Sequence, residues 1–473
     1  MGCAVDLGIE RKDGAADSSL DPGHEDFSDA DPPPDVIEAH DPAVEDGPPP
    51  SCGNGEIEAG EECDSDPDRS CTTGCGSTGA QTCVDCAWAA CVPPVEICNG
   101  ADDDCDDLTD EVGTISAAGG PVRVSVDPAV SRDPHLAWDD SGFGIVWVDG
   151  RTGTDDLFSA VVSETGSVLA SEARLLVARA AFAAPSAAWD GARYKILATD
   201  DPGMDGNPDV VLLRMNALGE FVAPVTLISS SGGVSLFRPT IALMGGWSGM
   251  AWDSGSAIWF ARLNPAGSKV GGDVEVDGDP GPSHDLDLAA SSDRYALAWV
   301  DERDGNAEIY AAVLDPGGTA IAAPVRLTED PAPSSSPSIA WDGSDFVVAW
   351  SDAPDGAAGV YVTRLSVSGV EEGGEVLAMA VPVGAGDPCV LWTGSLIGIA
   401  WSERMSGEDD VRFTVLDPSG EPLADAVTIS PAGGSSLAPA VSWSGSRFGI
   451  AWQDDRDGNP EIYLASAVFV PCP

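Results

Sequence analysis

One template is repeated in the segments IAWDGSDFVVAW (residues 339–350), VSWSGSRFGIAW (441–452) and LAWDDSGFGIVW (136–147). In each, an apolar strand ends in tryptophan, a short turn of Asp, Gly or Ser residues follows, and a second apolar strand ends in a second tryptophan. Apolar runs of this length, separated by turn residues, predict β-hairpins. Their recurrence along the chain indicates a repeat architecture.

The second tryptophan marks the register of seven units, at Trp147, Trp252, Trp299, Trp350, Trp401 and Trp452, with Thr199 in the second unit. The successive spacings are 52, 53, 47, 51, 51 and 51 residues. Within the fifth unit we expect four strands, at 338–341, 346–350, 359–365 and 375–378. A four-stranded unit of this length matches a propeller blade, whereas a β-helix has shorter rungs and separate sandwiches need longer units.

The ends of the repeat region predict how the ring closes. The seventh unit stops after its third strand, at residues 461–468, and Val122-Arg123-Val124-Ser125 precedes the first unit. Pairing the two removes two exposed sheet edges. We therefore predict an all-β fold, a seven-bladed β-propeller of four-stranded blades over residues 114–473, closed by an N-terminal strand.

Two further regions precede the propeller. Residues 1–50 include twelve acids between Asp13 and Asp46, two runs of three prolines and few apolar residues. Such a segment cannot bury enough surface to offset its ordering entropy, so we expect a disordered, extended acidic spacer. Residues 51–113 form a cysteine-rich module with too little apolar material for a core of its own.

The cysteines indicate an oxidising compartment, because nine of the 12 lie between Cys52 and Cys105. Zinc is the alternative for the Cys83/Cys86 pair, but no second pair follows at zinc spacing and no histidine lies between residues 41 and 134. With Cys472, which closure would place near residue 118, ten cysteines are expected in disulfides: Cys52, Cys63, Cys71, Cys75, Cys83, Cys86, Cys91, Cys98, Cys105 and Cys472. Cys389 is then expected to be a small, unpaired buried residue.

Cys3 is the predicted lipidation site. It follows Gly2, as the lipidated cysteine of a bacterial lipoprotein follows a small residue, although no apolar stretch precedes it here. The spacer that follows would serve as a tether.

The segment CNGADDDCDDLTDE (98–111) predicts a cation site. Asp102, Asp104, Asp106 and Asp110 alternate within one loop, Leu108 can offer its carbonyl, and Glu111 follows. Hard oxygen ligands at this spacing suit Ca²⁺, while the absence of thiolate or imidazole ligands disfavours copper. Asp107 stands where calcium loops usually place glycine, so a solvated acidic turn remains the alternative.

Two stretches of the module resemble known families. CGNGEIEAGEECD (52–64) looks like the cysteine-rich repeat of myxobacterial surface proteins, and 98–111 resembles the metal-binding motif associated with MopE-type proteins. The repeats from Pro121 onward resemble propeller repeats of deltaproteobacterial surface proteins. These resemblances imply an extracellular or outer-membrane location.

The charge restricts the partners of the chain. With 79 acidic and 22 basic residues, the net charge of −57 repels nucleic acid and anionic lipid, so a membrane would be met only through a lipid anchor. We expect a monomer that binds an unidentified protein or polysaccharide.

A recurring loop after the second tryptophan suggests a polar binding rim. Its members are Asp149, Arg151, Asp301, Arg303, Asp454 and Arg456. The structural alternative is that each Asp caps its turn, the Gly of the loop supplies a positive φ and each Arg pairs with an acid of a neighbouring blade. Both tryptophans of each hairpin are expected in the core, which leaves Trp247 and Trp259 as candidates for an exposed contact.

No sequence motif of a catalytic site is present. The best enzymatic alternative is a sialidase-like hydrolase, which needs a propeller, arginines, acids and a tyrosine nucleophile. Tyr310, Tyr361 and Tyr463 share one repeat position, which favours core packing. The sequence thus favours a non-enzymatic binding or adhesion protein, with a purely structural envelope scaffold as a further alternative.

Overall fold

The computed structural model describes residues 63, 69–73, 76–84, 87–92, 113–117, 119–176, 184–201, 207–222, 224–229, 237–278, 281–381, 385–405, 407–431 and 433–471. These residues fall into two compact units, 63–92 and 113–471.

The smaller unit is held together by disulfides. It contains two hairpins, β1 (Arg69–Thr72) with β2 (Thr78–Gln81) and β3 (Cys83–Val84) with β4 (Ala87–Trp88). Cys63 is bonded to Cys83 and Cys71 to Cys91. The prediction of a disulfide framework is confirmed for these four cysteines. Because Cys83 is bonded to Cys63, it is not available for a zinc site with Cys86.

The larger unit is a seven-bladed β-propeller of antiparallel four-stranded blades, as predicted. Two strands precede the first blade, β5 (Thr114–Ala117) and β6 (Val122–Arg123). Blades 1 to 3 consist of β7 (Ser131–Trp138), β8 (Phe143–Asp149), β9 (Asp156–Val162) and β10 (Val168–Leu176); β11 (Ser186–Trp189), β12 (Tyr194–Asp200), β13 (Asp209–Met215) and β14 (Thr226–Ser229); β15 (Phe237–Met244), β16 (Trp247–Asp253), β17 (Ile258–Leu263) and β18 (Val274–Glu275).

Blades 4 to 7 consist of β19 (Ser283–Ala290), β20 (Tyr295–Asp301), β21 (Glu308–Leu314) and β22 (Val325–Arg326); β23 (Ser335–Trp341), β24 (Phe346–Asp352), β25 (Gly359–Leu365) and β26 (Glu371–Ala380); β27 (Ala385–Trp392), β28 (Ile397–Met405), β29 (Glu408–Leu416) and β30 (Val427–Thr428); β31 (Ser436–Trp443), β32 (Phe448–Asp454) and β33 (Glu461–Val470). A 3₁₀ turn at Pro354–Gly356 is the only helical element of the described residues.

The ring closes through β6, as predicted. Arg123 and Val122 pair with Tyr463 and Leu464 of β33, and β5 extends the same edge as far as the pair Thr114 and Val470. The closing strand makes the same ion pair as a fourth strand that follows its own blade in sequence. Arg123 donates to buried Glu461 at 2.7 Å, as Arg326 of blade 4 donates to buried Glu308 at 2.7 Å.

The core lies between blades rather than beneath one sheet. The six marker tryptophans are all at most 1% exposed, and each apolar cluster combines residues of two neighbouring blades. Glycine allows this close approach where an aromatic ring meets the next blade. A Cβ on Gly144 would lie 2.3 Å from the Tyr194 ring, and one on Gly449 would lie 2.5 Å from the Phe143 ring. Any larger residue there would push two blades apart.

A set of side-chain acceptors also ties neighbouring blades around the axis, and we call it the interblade belt. His135 accepts from the backbone N–H of Ala187 at 3.1 Å, and Ser186 from that of Ile241 at 3.2 Å. Asp287 and Ser338 accept in the same way from the next blades, at 3.0 and 3.1 Å. The equivalent positions of blades 6 and 7 are Cys389 and Ala440, and the alanine offers no side-chain acceptor.

Candidate functional site

The first strand of each blade lies next to the axis of the ring. Successive first strands, from β7 through β31 and back to β7, contact one another in a closed cycle. Each of these strands runs towards the same face of the propeller, where the turn to the second strand lies. In five blades the strand ends in a tryptophan: Trp138, Trp189, Trp341, Trp392 and Trp443. Leu243 and Ala290 occupy this position in blades 3 and 4.

These first tryptophans are half-buried, unlike the fully buried second tryptophans. The expectation that both members of each pair belong to the core therefore holds fully for the second member, whereas the first member is half-buried and packs against the edge of the apolar clusters. The cause is topological. The second strand is covered by blades on either side, whereas the end of the first strand reaches the axis, where no further blade covers it.

Four of the five tryptophans surround a cavity of about 320 Å³. The lining includes Trp138, Trp189, Trp392 and Trp443, together with Leu243 of blade 3, and we call this set the tryptophan mouth. The remaining lining is aliphatic apart from Ser442, and it contains no charged side chain. Trp341, at the same register in blade 5, does not line the cavity.

The hairpins hold the indoles in place. Trp138 packs against Phe143, Trp189 against Tyr194 and Trp443 against Phe448, with ring centroids 4.9, 4.8 and 4.5 Å apart. Because each partner begins the next strand of the same hairpin, the mouth is built on strands rather than on loops. Such rigid placement reduces the entropy lost on ligand binding.

Four of the second tryptophans have an acceptor for their indole N–H within their own blade. The second tryptophans of blades 1, 4, 5 and 7 donate to a carboxylate two residues later, at 2.9 to 3.1 Å. Trp401 Nε1 of blade 6 and Trp189 Nε1 of blade 2 are both buried and have no hydrogen-bond partner among the described residues. A missing acceptor therefore does not separate the two sets of tryptophans.

Two of the carboxylates that directly follow first tryptophans have a basic partner. Burial opposes the ionisation of Asp190, but the backbone N–H groups of Arg193 and Ala192 and the ammonium of Lys195 outweigh burial and lower its pKa. Burial likewise opposes the ionisation of Asp342, but N–H groups of its turn and Arg364 lower its pKa. Each of these two negative charges is thus balanced by a lysine or an arginine.

The predicted Asp/Arg rim lies on the opposite face, and blade 4 shows its arrangement. Asp301 accepts from Trp299 Nε1 at 3.0 Å, from Ser283 Oγ at 3.1 Å and from Arg303 Nε at 2.8 Å. The guanidinium of Arg303 lies over the Tyr310 ring, 4.4 Å from its centroid. Although burial opposes ionisation, the hydrogen bonds from Arg303 and Trp299 lower the pKa of Asp301.

The same cluster recurs in blades 1 and 7, around Asp149 with Arg151 and Asp454 with Arg456. The three carboxylates are fully buried, and the three arginines are only 15–18% exposed. Each Asp accepts from the backbone N–H of the Arg two residues later, so it caps its turn as the structural alternative expects. Each Arg pairs with the Asp of its own blade, where an acid of a neighbouring blade was expected, although Arg303 also pairs with Asp277 after the last strand of blade 3. Little of these pairs faces solvent.

The tyrosines required by a sialidase-like mechanism are packed in the blades. Tyr310, Tyr361 and Tyr463 are 6–7% exposed and lie against the second tryptophan of their blade, with centroids 6.0 to 6.3 Å apart. Burial, and then the hydrogen bond to and charge of Asp457, raise the pKa of Tyr463 to about 12. A tyrosine nucleophile needs the opposite shift.

Polar residues that the sequence reasoning missed surround the axis on the side away from the tryptophan mouth. Six first strands bulge at a non-glycine residue with φ between 45° and 55°: Asp133, Arg238, Asp285, Ser336, Asp387 and Ala438. We call these positions the inner ring. Arg238 pairs with Asp285, and Ser336 donates to Asp387 at 3.4 Å. A proline directly follows five of these six residues, and this recurrence could have indicated the bulges from the sequence.

Several predicted site residues lie outside the described residues. These are the calcium-loop residues Asp102, Asp104, Asp106, Leu108, Asp110 and Glu111, the lipidation site Cys3, and the cysteines Cys52, Cys75, Cys86, Cys98, Cys105 and Cys472. Within the described ranges, no group of three or more His, Cys, Asp or Glu side chains is placed to hold a metal ion. No helix of the described chain is both long and apolar enough to cross a membrane.

The structure departs from the sequence-based expectations at Cys389, Trp247 and Trp259. Cys389 is buried as expected but is disulfide-bonded, so the prediction that it is unpaired is wrong. Trp247 and Trp259 are half-buried, not exposed. The Arg262 guanidinium lies over the Trp247 ring, and Trp259 Nε1 donates to Ser254 at 3.4 Å.

Comparison with known proteins shows the fold alone. No protein-family model matches the chain, and no curated protein matches it. Among solved structures, a subtype N10 neuraminidase-like protein of A/little yellow-shouldered bat/Guatemala is 10% identical, with a TM-score of 0.37, over 76% of this chain and 100% of that one. A GH43 endo-arabinanase from Bacillus licheniformis is 16% identical, with a TM-score of 0.31, over 50% of this chain and 95% of that one. At these values the similarities carry no information on what this chain binds or catalyses.

Proposed function

We propose that this chain is an exported, surface-tethered binding protein without catalytic activity, and that its ligand binds in the tryptophan mouth. The observation that carries the proposal is the set of four half-buried indoles around an uncharged cavity of about 320 Å³. Ligand sites are typically concave and lined by aromatic and apolar groups with few polar ones.

The rest of the propeller supports binding over hydrolysis. The buried Asp/Arg clusters and tyrosines are used in blade packing, and the pKa of Tyr463 is raised away from that of a nucleophile. Two disulfides in the small unit favour an oxidising compartment. The acidic spacer and Cys3 would tether the protein to the surface, and an acylated Cys3 in mass spectra of the cell-derived protein would test this part of the proposal.

The binding site is tested with Trp392→Ala, which removes one wall of the mouth. Biolayer interferometry against immobilised polysaccharides and extracellular proteins should show a ligand of the wild type whose affinity falls at least tenfold in the variant. Trp341→Ala is the matched control, because it removes the same residue at the same register outside the cavity. Its affinity should remain within about twofold of that of the wild type.

Two results would count against the proposal. Equal binding by wild type and Trp392→Ala would place the ligand elsewhere on the molecule. Turnover of a fluorogenic sialoside by the wild type, lost on Tyr463→Phe, would establish the hydrolase alternative.

A further inference from the structure

We infer that the ligand of the tryptophan mouth is a neutral carbohydrate, presented as the end of a polysaccharide chain. This inference rests on the proposed function and deepens it. It is carried by two features of the mouth, which concern the shape of the lining and its charge.

The shape of the lining suits a sugar ring. A pyranose has flat patches of C–H groups that pack on an indole face, and its hydroxyl groups project from the edge of the ring. Trp138, Trp189, Trp392 and Trp443 offer such faces around one cavity. At about 320 Å³ the cavity is at the lower end of the usual range of ligand pockets. It therefore accommodates a terminal sugar unit rather than a long segment.

The charge selects among carbohydrates. No lining side chain is charged, and no arginine or lysine of the lining could bind a carboxylate or sulfate. Asp190 and Asp342, which follow two of the first tryptophans, are balanced by Lys195 and Arg364. The net charge of −57 disfavours an acidic ligand. Sialylated and uronic-acid sugars are therefore repelled, while neutral sugars are not.

The mouth is open on one side, which leaves room for the rest of the chain. Blades 3 and 4 carry Leu243 and Ala290 in place of tryptophan. A polysaccharide whose last unit occupies the mouth can leave over these two blades without meeting an indole.

Isothermal titration with neutral gluco-, manno-, galacto- and chito-oligosaccharides tests the inference. Sialyllactose and oligogalacturonate of matched length serve as acidic probes, and tetramethylammonium serves as the cationic probe. We expect binding of at least one neutral series. The acidic probes should bind at least tenfold more weakly, and higher salt should narrow this difference because it screens the net negative charge of the protein.

Two variants relate binding to the mouth. Trp189→Phe and Trp392→Phe each keep a stacking surface and should weaken the neutral sugar only about two- to threefold. Trp392→Ala removes the stacking surface and should abolish binding. Circular dichroism and thermal melting confirm that each variant is folded before its affinity is interpreted.

The possible failures are distinguishable. Mouth-dependent binding of tetramethylammonium or of an immobilised protein, with no binding of neutral sugar, would overturn the carbohydrate inference and leave the proposed function standing. Neutral-sugar binding unchanged by Trp392→Ala would overturn the assignment to the mouth, and with it the proposed function. Failure of every neutral oligosaccharide to bind would also overturn the inference.

Discussion

Asp387 of the inner ring is a buried carboxylate whose surroundings disfavour its charge. Burial is the main cause, and the nearby charge of Asp133 adds to it, so the pKa of Asp387 rises to about 6 despite hydrogen bonds from Ser336 and Ala438 and the opposing charge of Arg238. The pKa of a free aspartate is about 3.9. The folded state therefore binds this proton more tightly than the unfolded state, and the resulting stabilisation is present below about pH 4 and lost as pH rises through 6.

Asp387→Asn should remove this dependence. The variant should gain about 2 to 3 kcal/mol over the wild type at pH 7 and little at pH 4, since each pKa unit corresponds to about 1.4 kcal/mol. Urea unfolding at several pH values measures the difference. Asp293→Asn, at an exposed turn position, is the control. A gain that stays constant between pH 4 and 7 would contradict the assignment.

At the same scale, sequence alone does not separate the two tryptophans of a hairpin. Trp341 and Trp350 each end an apolar strand, yet Trp350 is fully buried and Trp341 is half-buried. The difference depends on which strand lies at the axis, and that is a property of the closed ring. The inner ring was missed for the same reason, because Asp133, Asp285 and Asp387 are far apart in sequence and converge only at the axis.

Among the elements, the positions of the inner three strands of each blade could be predicted from the alternation of apolar runs and turn residues. The third strand of blade 5 was predicted at 359–365 and forms at Gly359–Leu365. Fourth strands are less predictable, since three of them contain two residues and β26 runs from Glu371 to Ala380 where 375–378 was expected. An outermost strand has a neighbour on one side only, so its length depends less on core packing.

Matched substitutions can test the closing strand. Arg123→Ala and Arg326→Ala each remove an arginine from a buried glutamate, and each should cost on the order of 2 kcal/mol because a buried carboxylate loses its partner. Only Arg123 belongs to a strand that closes the ring without a covalent link to the blade it completes. Limited proteolysis with mass spectrometry should thus show new cleavage within residues 113–131 of Arg123→Ala and none near residue 326 of Arg326→Ala. Identical cleavage patterns in the two variants would contradict this account.

For the whole molecule, the repeat period and the ring closure were predictable because seven similar units must bury each other's faces. For the upstream module, the sequence predicts only the type of ligand that its acidic loop could bind. Its acidic loop, with Asp102, Asp104 and Asp106, has hard oxygen ligands that suit Ca²⁺. Calcium binding by this loop stays a prediction.

Calcium binding is tested by calorimetric titration of the whole protein and of a variant with Asp102, Asp104 and Asp106 changed to Asn. We expect one stoichiometric site that is absent from the variant. A variant with Asp13, Asp17 and Asp21 changed to Asn removes equal charge from the spacer and should keep the site. Weak binding at many sites, equal in all three proteins, would reduce the loop to a solvated acidic turn.

The closing edge of the propeller is attached in two stretches, and this has a mechanical consequence. Thr114 pairs with Val470 at the point where the chain enters the propeller. Tension applied upstream of Gly113 therefore breaks the hydrogen bonds of β5 one after another. Beyond it, Arg123 and Ser125 hold the chain to buried Glu461, at 2.7 and 2.5 Å. Under tension, β5 is therefore expected to detach before β6. Its detachment releases residues 114–121, roughly 25 to 30 Å of extended chain, while the ring remains closed.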